Sequence, residues 1–148
     1  MNPANANLAP SQRLIDAIKQ FEGFAAIATH EEGDPPGVIT GGYGETQCTE
    51  GEFFTPEGAE MLLRRRIKGF GDQVLAQVNV PLTQGEYDAL ADLAYNVGAH
   101  GFPTLLEFLN AGDYAKAAAC FAEYDRANGL ILSGLQDRRA EEKQWFDS

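Results

Sequence analysis

Glu22, Asp34 and Thr40 are the residues in this chain whose types and spacing suit concerted chemistry. A carboxyl group that keeps its proton is a general acid. An ionised carboxylate opposite it can orient a water or stabilise developing positive charge, and a hydroxyl can hold the same water. Two carboxyl groups flanking an acetal are what cleavage of a glycosidic bond requires. Glu22 is expected where the first helix ends, at the negative pole of its dipole. That position disfavours a carboxylate and so favours the protonated acid. Asp34 precedes Pro35-Pro36, which stiffens its loop. Gly41, Gly42 and Gly44 let a polymer approach the backbone closely. Spacing alone is a weak signal, because the chain carries 22 acidic residues and most acids are solvated surface.

The elements around these residues read as follows. Residues 1–10 form a loose N-terminal arm. Ser11 is a plausible N-cap, and Leu14, Ile15, Ile18 and Phe21 recur at helical spacing up to Glu22-Gly23. Residues 11–54 are therefore a helix followed by a small β lobe, with Val38-Ile39-Thr40 and Glu52-Phe53-Phe54 as short strands between glycine- and proline-rich turns. Residues 55–80 read as a connecting helix, opened by Thr55-Pro56, carrying Met61, Leu62, Ile67, Phe70 and Val74, with Arg64-Arg65-Arg66 as a solvated face. Residues 81–148 form a helical lobe. It has capping boxes at Thr83–Glu86 and Ser133–Gln136, a short helix through Leu105–Leu109, another capped by Asp113, and Trp145 and Phe146 as packing residues. The fold class is α+β, predominantly helical, in a single domain.

Composition narrows the partners. The formal net charge is −11, which disfavours nucleic acid and electrostatic adhesion to an anionic membrane. No stretch has the length of a membrane span and residues 1–11 lack the pattern of a signal peptide. A monomer made in the cytoplasm, with no membrane insertion, is the expectation. Cys48 and Cys120 stand 72 positions apart with no metal-ligand spacing, and read as two free thiols. No metal or organic cofactor is implied.

The segment Asp34-Pro35-Pro36-Gly37-Val38-Ile39-Thr40-Gly41-Gly42-Tyr43-Gly44-Glu45-Thr46 resembles the catalytic hairpin of phage-type lysozymes, glycoside hydrolase family 24. Val80-Pro81-Leu82-Thr83-Gln84, Ala94-Tyr95-Asn96-Val97-Gly98 and Leu109-Asn110-Ala111-Gly112-Asp113-Tyr114 are similar to later family segments. So is Gly134-Leu135 followed by Arg138, Arg139 and Glu141. These linked segments span roughly residues 11–147.

The resemblance implies a lysozyme-like fold, a small β lobe and a helical lobe joined by a long helix. It implies a muramidase that cleaves the bond between N-acetylmuramic acid and N-acetylglucosamine in peptidoglycan glycan strands with inversion. Glu22 would protonate the leaving oxygen, and Asp34 with Thr40 would position the water. Tyr43, Tyr95 and Asn96 are candidate substrate contacts, although Tyr95 and Asn96 also suit a helix end packed on the core. Arg138 or Arg139 would approach Glu22 as an ion pair. Such an endolysin would reach the wall after release, through a holin-type lesion.

Two departures stand out. Eleven residues separate Glu22 from Asp34 where the family has eight, an insertion around Thr29–Gly33. Glu31 keeps the family's distance from Glu22, but Asp34 keeps the five-residue gap to Thr40 and is preferred. Glu45 stands where the family has a supporting histidine. These departures motivate an alternative, a catalytically weak lysozyme-like domain that binds glycan or serves in a virion. A lytic transglycosylase is a third reading, disfavoured because it needs no positioned water.

Overall fold

The computed structural model describes residues 1–148, and chain contacts divide them into two units. The smaller is Gln12–Arg66; the helical unit is Met1–Ser11 with Ile67–Ser148.

The smaller unit opens with α1 (Gln12–Glu22), whose Leu14, Ile15 and Ile18 are fully buried. Phe21, expected on the same face, is 39% exposed: it sits in the last turn, where the helix leaves its packing surface. Gly23, at φ +70, closes the helix with its N–H on the Lys19 carbonyl. Next come antiparallel strands β1 (Ala25–Thr29) and β2 (Thr40–Gly42). The sheet is shifted from the expected strands. Val38 and Ile39 lead into β2 rather than forming it. Glu52–Phe54 joins β1 through an Ile27–Phe53 bridge and the hydrogen bond from the Phe54 N–H to the Ala26 carbonyl. Gly41 is required by close packing, since a Cβ there would lie 2.5 Å from the Phe54 ring and 2.9 Å from the Ala28 Cβ. Ala28, Phe54 and Ala59 form the buried cluster beneath the sheet.

α2 (Pro56–Leu75) begins where the Thr55 hydroxyl accepts from the Gly58 N–H. It ends earlier than residue 80, and two tighter turns, Gln77 N–H to Val74 and Val78 N–H to Leu75, carry the chain onward. Its buried stripe is Ala59, Leu63, Ile67 and Val74; Met61, expected inside, is 65% exposed. The stripe follows the four-residue repeat from Ala59 through Leu63 to Ile67, which turns Met61 outward.

In the helical unit α3 (Gln84–Val97) is buried from Gly85 to Ala94, and it packs on α6 (Ser133–Phe146). The expected capping box at Thr83–Glu86 is present in both directions. α4 (Pro103–Asn110) and α5 (Tyr114–Cys120) pack together, and Asp113 caps α5. A two-residue hairpin, β3 (Arg126–Ala127) and β4 (Leu130–Ile131), turns on Asn128 and Gly129, both at positive φ. The expected capping box at Ser133 does not form. Leu132 is the N-cap, Ser133 is already helical, and Gln136 donates to Asp125. Trp145 and Phe146 are buried as expected.

The N-terminal residues are not a loose arm. Asn2 caps a 3-10 turn at Pro3–Asn5, and the Asn5 side chain, fully buried, donates to the Val80 carbonyl and accepts from the Leu82 N–H. An amide side chain that mimics a backbone partner ties the segment down. Cys48 and Cys120 are both free. No helix is long and apolar enough to cross a membrane.

Candidate active site

A cleft of about 160 Å³ opens at the end of α1 within the smaller unit. Glu22, Gly23, Phe24 and Ala25 line one side, with Thr40, Gly42, Gly44 and Glu31 completing it. Local chain geometry explains the arrangement. Glu22 is the last residue of α1, and the left-handed Gly23 turns the chain directly into β1, so the carboxyl is left at the rim, exposed. Thr40 opens β2, opposite Thr29. Gly42 lines the cleft at φ +56, and a Cβ there would press on Ala59 at 3.1 Å in the buried cluster beneath.

Asp34 stands one bond behind this surface. Its Oδ2 receives the Thr40 hydroxyl at 3.3 Å, and it is half-buried. Glu22 and Thr40 thus share one cleft, with Asp34 reaching it through Thr40. Glu31, set aside on spacing, lies in the cleft itself. No periodicity could place it, because its position depends on turns that close the 31–38 loop. The Asp34 N–H bonds the Glu31 carbonyl, the Val38 N–H bonds the Pro35 carbonyl, and the His30 ring N–H donates to the Val38 carbonyl at 3.0 Å.

The turn after β2 is clamped from α2. Arg66 donates one guanidinium nitrogen to the Glu45 carboxylate and the other to the Tyr43 carbonyl at 2.8 Å. Arg66 is therefore not part of a solvated face; it sits one turn beyond Leu62 and Leu63 and points at the sheet. Arg64 pairs with Glu60. The Tyr43 ring does not line the cleft. It packs at 5.2 Å, tilted by 48°, against Phe24, which does, and lies beneath the Lys19 ammonium at 5.4 Å. Lys19 is paired with Glu60, whose hydrogen bond raises the Lys19 pKa, while Lys19 lowers that of Glu60.

A match to a family model described as phage lysozyme, over residues 19–142, accompanies this geometry. The chain belongs to the phage lysozyme family. Among curated relatives of this phage-lysozyme chain, an endolysin of Bacillus phage PZA is 37% identical over 147 residues, 93% of this chain and 55% of the relative. An endolysin of Acyrthosiphon pisum secondary endosymbiont phage 1 is 39% identical over 145 residues, 93% of this chain and 97% of the relative. The chain spans only about half the length of the two Bacillus phage relatives, 55% and 53%. Two solved structures share the lysozyme-like fold. The muramidase domain of SpmX from Asticaccaulis excentricus superposes with TM-score 0.84 at 32% identity, covering 96% of this chain and 99% of that one. A P22 lysozyme mutant gives TM-score 0.83 at 29% identity, covering 95% and 99%.

The remaining expected site residues of this family member lie in the helical unit. Tyr95, half-buried, meets Phe70 edge-on at 5.8 Å and has the Arg138 guanidinium 5.9 Å from its ring. Asn96 is exposed and its Oδ1 accepts from Arg139 at 2.9 Å. Both arginines expected near Glu22 have acidic partners on α3 and α6. Arg138 forks onto Asp92 at 3.0 and 2.8 Å, and Arg139 meets Glu142 at 2.6 Å. Burial, followed by the neighbouring Asp92, pushes Glu142 up to about 10. Asp92 feels the same burial as its largest influence, but the hydrogen bonds from Arg138 and Glu142 and the charges of Arg138 and Arg139 together outweigh it and hold its carboxyl below the usual range.

Proposed function

We propose that this chain is a muramidase. It hydrolyses the β-1,4 bond between N-acetylmuramic acid and N-acetylglucosamine in peptidoglycan, in the role of a phage or prophage endolysin. The observation that carries the reading is the shared cleft: Glu22 and Thr40 line it together, and the Thr40 hydroxyl is committed to Asp34. Family membership and relatives named endolysin or muramidase support the substrate class.

In this reading Glu22 is the general acid. It is exposed in the free protein, and a seated glycan would exclude water from it, favouring the neutral carboxyl. As the bond from the anomeric carbon to the leaving oxygen breaks, the Glu22 proton passes to that oxygen. The Thr40 hydroxyl donates its hydrogen bond to Asp34, so toward a water it is an acceptor only. A water donating to it is oriented with a lone pair free to attack. Attack from the face opposite the leaving group inverts the anomeric centre. Phe24, 41% exposed and backed by Tyr43, offers a ring for a sugar face, and Asn96 is retained as a candidate sugar contact.

The test is Glu22→Gln on purified peptidoglycan, with products analysed for new reducing ends and anomeric configuration. A folded variant should lose activity by about 10³-fold. Full activity in that variant, or anhydro-muramic ends from the unaltered protein, rejects the mechanism. Glycan binding without turnover by the unaltered protein would favour the binding-domain alternative.

A further inference from the structure

The cleft contains one carboxylate more than the Glu22, Asp34 and Thr40 set accounts for. Glu31 lines it directly, whereas Asp34 reaches it only through Thr40. Glu31 is exposed, so its carboxylate is available to solvent and ligand. Its backbone is fixed. The preceding His30 is bonded to Val38, which closes the neck of the loop, and the Glu31 carbonyl is held by the Asp34 N–H. A carboxylate on a loop pinned at both ends is a better positioned base than one on a free loop.

We propose that Glu31 is the general base of the reaction, and that Asp34 is a positioning residue acting through Thr40. The inference rests on the muramidase reading above and refines its water-activating step. The attacking water donates one hydrogen bond to the Thr40 oxygen, which is restricted to accepting because its own O–H is directed at Asp34. Its other proton points to the Glu31 carboxylate. As the water oxygen bonds the anomeric carbon, that O–H bond breaks and Glu31 takes the proton. The glycosidic bond breaks at the same time and the leaving oxygen takes the Glu22 proton. Glu31 then returns its proton to solvent and Glu22 recovers one, so no oxidant or co-reactant is needed.

The insertion between Glu22 and Asp34 acquires a purpose in this scheme. It places one carboxylate on the cleft surface and a second behind the hydroxyl, dividing between two residues the base and orienting tasks. The charged and titratable groups around Glu31 include Glu22 across the cleft, His30 and Glu32 on either side of it in the chain, and Asp34 across the turn.

The experiment compares Glu31→Gln, Glu31→Ala, Asp34→Asn and Asp34→Ala on soluble glycan fragments, with circular dichroism confirming the fold. Glu31→Gln should lower kcat by about 100-fold or more, with KM within about threefold. It should also flatten the acidic limb of the rate profile, which a merely structural residue would not move. Azide added to Glu31→Ala should restore turnover and give the glycosyl azide of inverted configuration. Asp34→Asn should lose about tenfold, with the acidic limb kept, and azide should not rescue Asp34→Ala. Glu31→Gln within threefold of the unaltered protein overturns the proposal. So does azide rescue of Asp34→Ala, which would make Asp34 the base, and so does a Glu31→Ala defect that azide cannot rescue. Glu22→Gln in the same assays separates the two levels. If it is active, the muramidase reading itself fails; if it is dead beside a fully active Glu31→Gln, only the role of Glu31 falls.

Discussion

Two sets of acids, one in each unit, live in opposite surroundings. In the helical unit Asp88 and Asp92 on α3 and Glu142 on α6 are fully buried, and each is engaged. Asp88 accepts from Ser11 and Gln84, Asp92 from Arg138, and Glu142 from Arg139. In the smaller unit Glu22 and Glu31 stand exposed at a cleft floored by glycine. A buried acid tied to a partner is bound to one arrangement, so it specifies packing and is unavailable to a substrate. A rim acid contributes little to stability and is open to reaction. The same residue type thus serves architecture in one unit and chemistry in the other, according to what surrounds it.

The sharpest way to break this contrast is Asp92→Ala. It would leave Arg138 buried without its carboxylate and should cost about 3–5 kcal/mol in denaturant melts. Glu22→Gln should instead leave the melting temperature almost unmoved. A loss below about 1 kcal/mol for Asp92→Ala would mean that the network is dispensable. Gly41→Ala comes next. Its methyl would press into Phe54 and Ala28, costing about 1–3 kcal/mol. Because Thr40 is its neighbour, lysis should fall further than the melting temperature implies; proportionate losses would uncouple the buried cluster from the cleft.

The narrowest test concerns Glu142, whose effect is confined to a pH window. Its folded pKa is raised to about 10, so between the ordinary carboxylate range and that value the folded chain holds a proton that the unfolded chain has released. Stability is therefore full at low pH and falls as pH rises through this window. Glu142→Gln keeps an acceptor for Arg139 and removes the titration. Its melting temperature should match the unaltered protein near pH 4 and exceed it by a margin that widens steadily toward pH 9. Parallel curves would show that Glu142 ionises no differently on folding.

Features dictated by local chemistry were legible in the sequence. Gly23 marks the end of α1 and so locates Glu22; Thr83 and Glu86 announce α3; the gap from Asp34 to Thr40 matches their hydrogen bond. Features settled by tertiary contact were not. β1 is Ala-Ala-Ile-Ala-Thr, which carries little strand pattern and is held by β2 and the Phe53 bridge. Met61 and Leu63 are equally apolar, and only the packing decides which faces inward. Glu31 enters the cleft because of three hydrogen bonds closing its loop, none of which a residue count reveals. The Asn128-Gly129 pair is a strong hairpin signal, yet its flanking strands are two residues each, too short to register as a pattern.

The Arg66 grip on Glu45 and Tyr43 has one more implication. Glu45, the residue that stands where the resemblance leads one to expect a histidine, is held by a guanidinium that stays cationic throughout the working range. The latch behind the glycines is therefore indifferent to buffer near neutrality. A bend in a rate profile recorded there therefore arises elsewhere, in the reacting groups or in His30, whose ring closes the neck of the Glu31 loop.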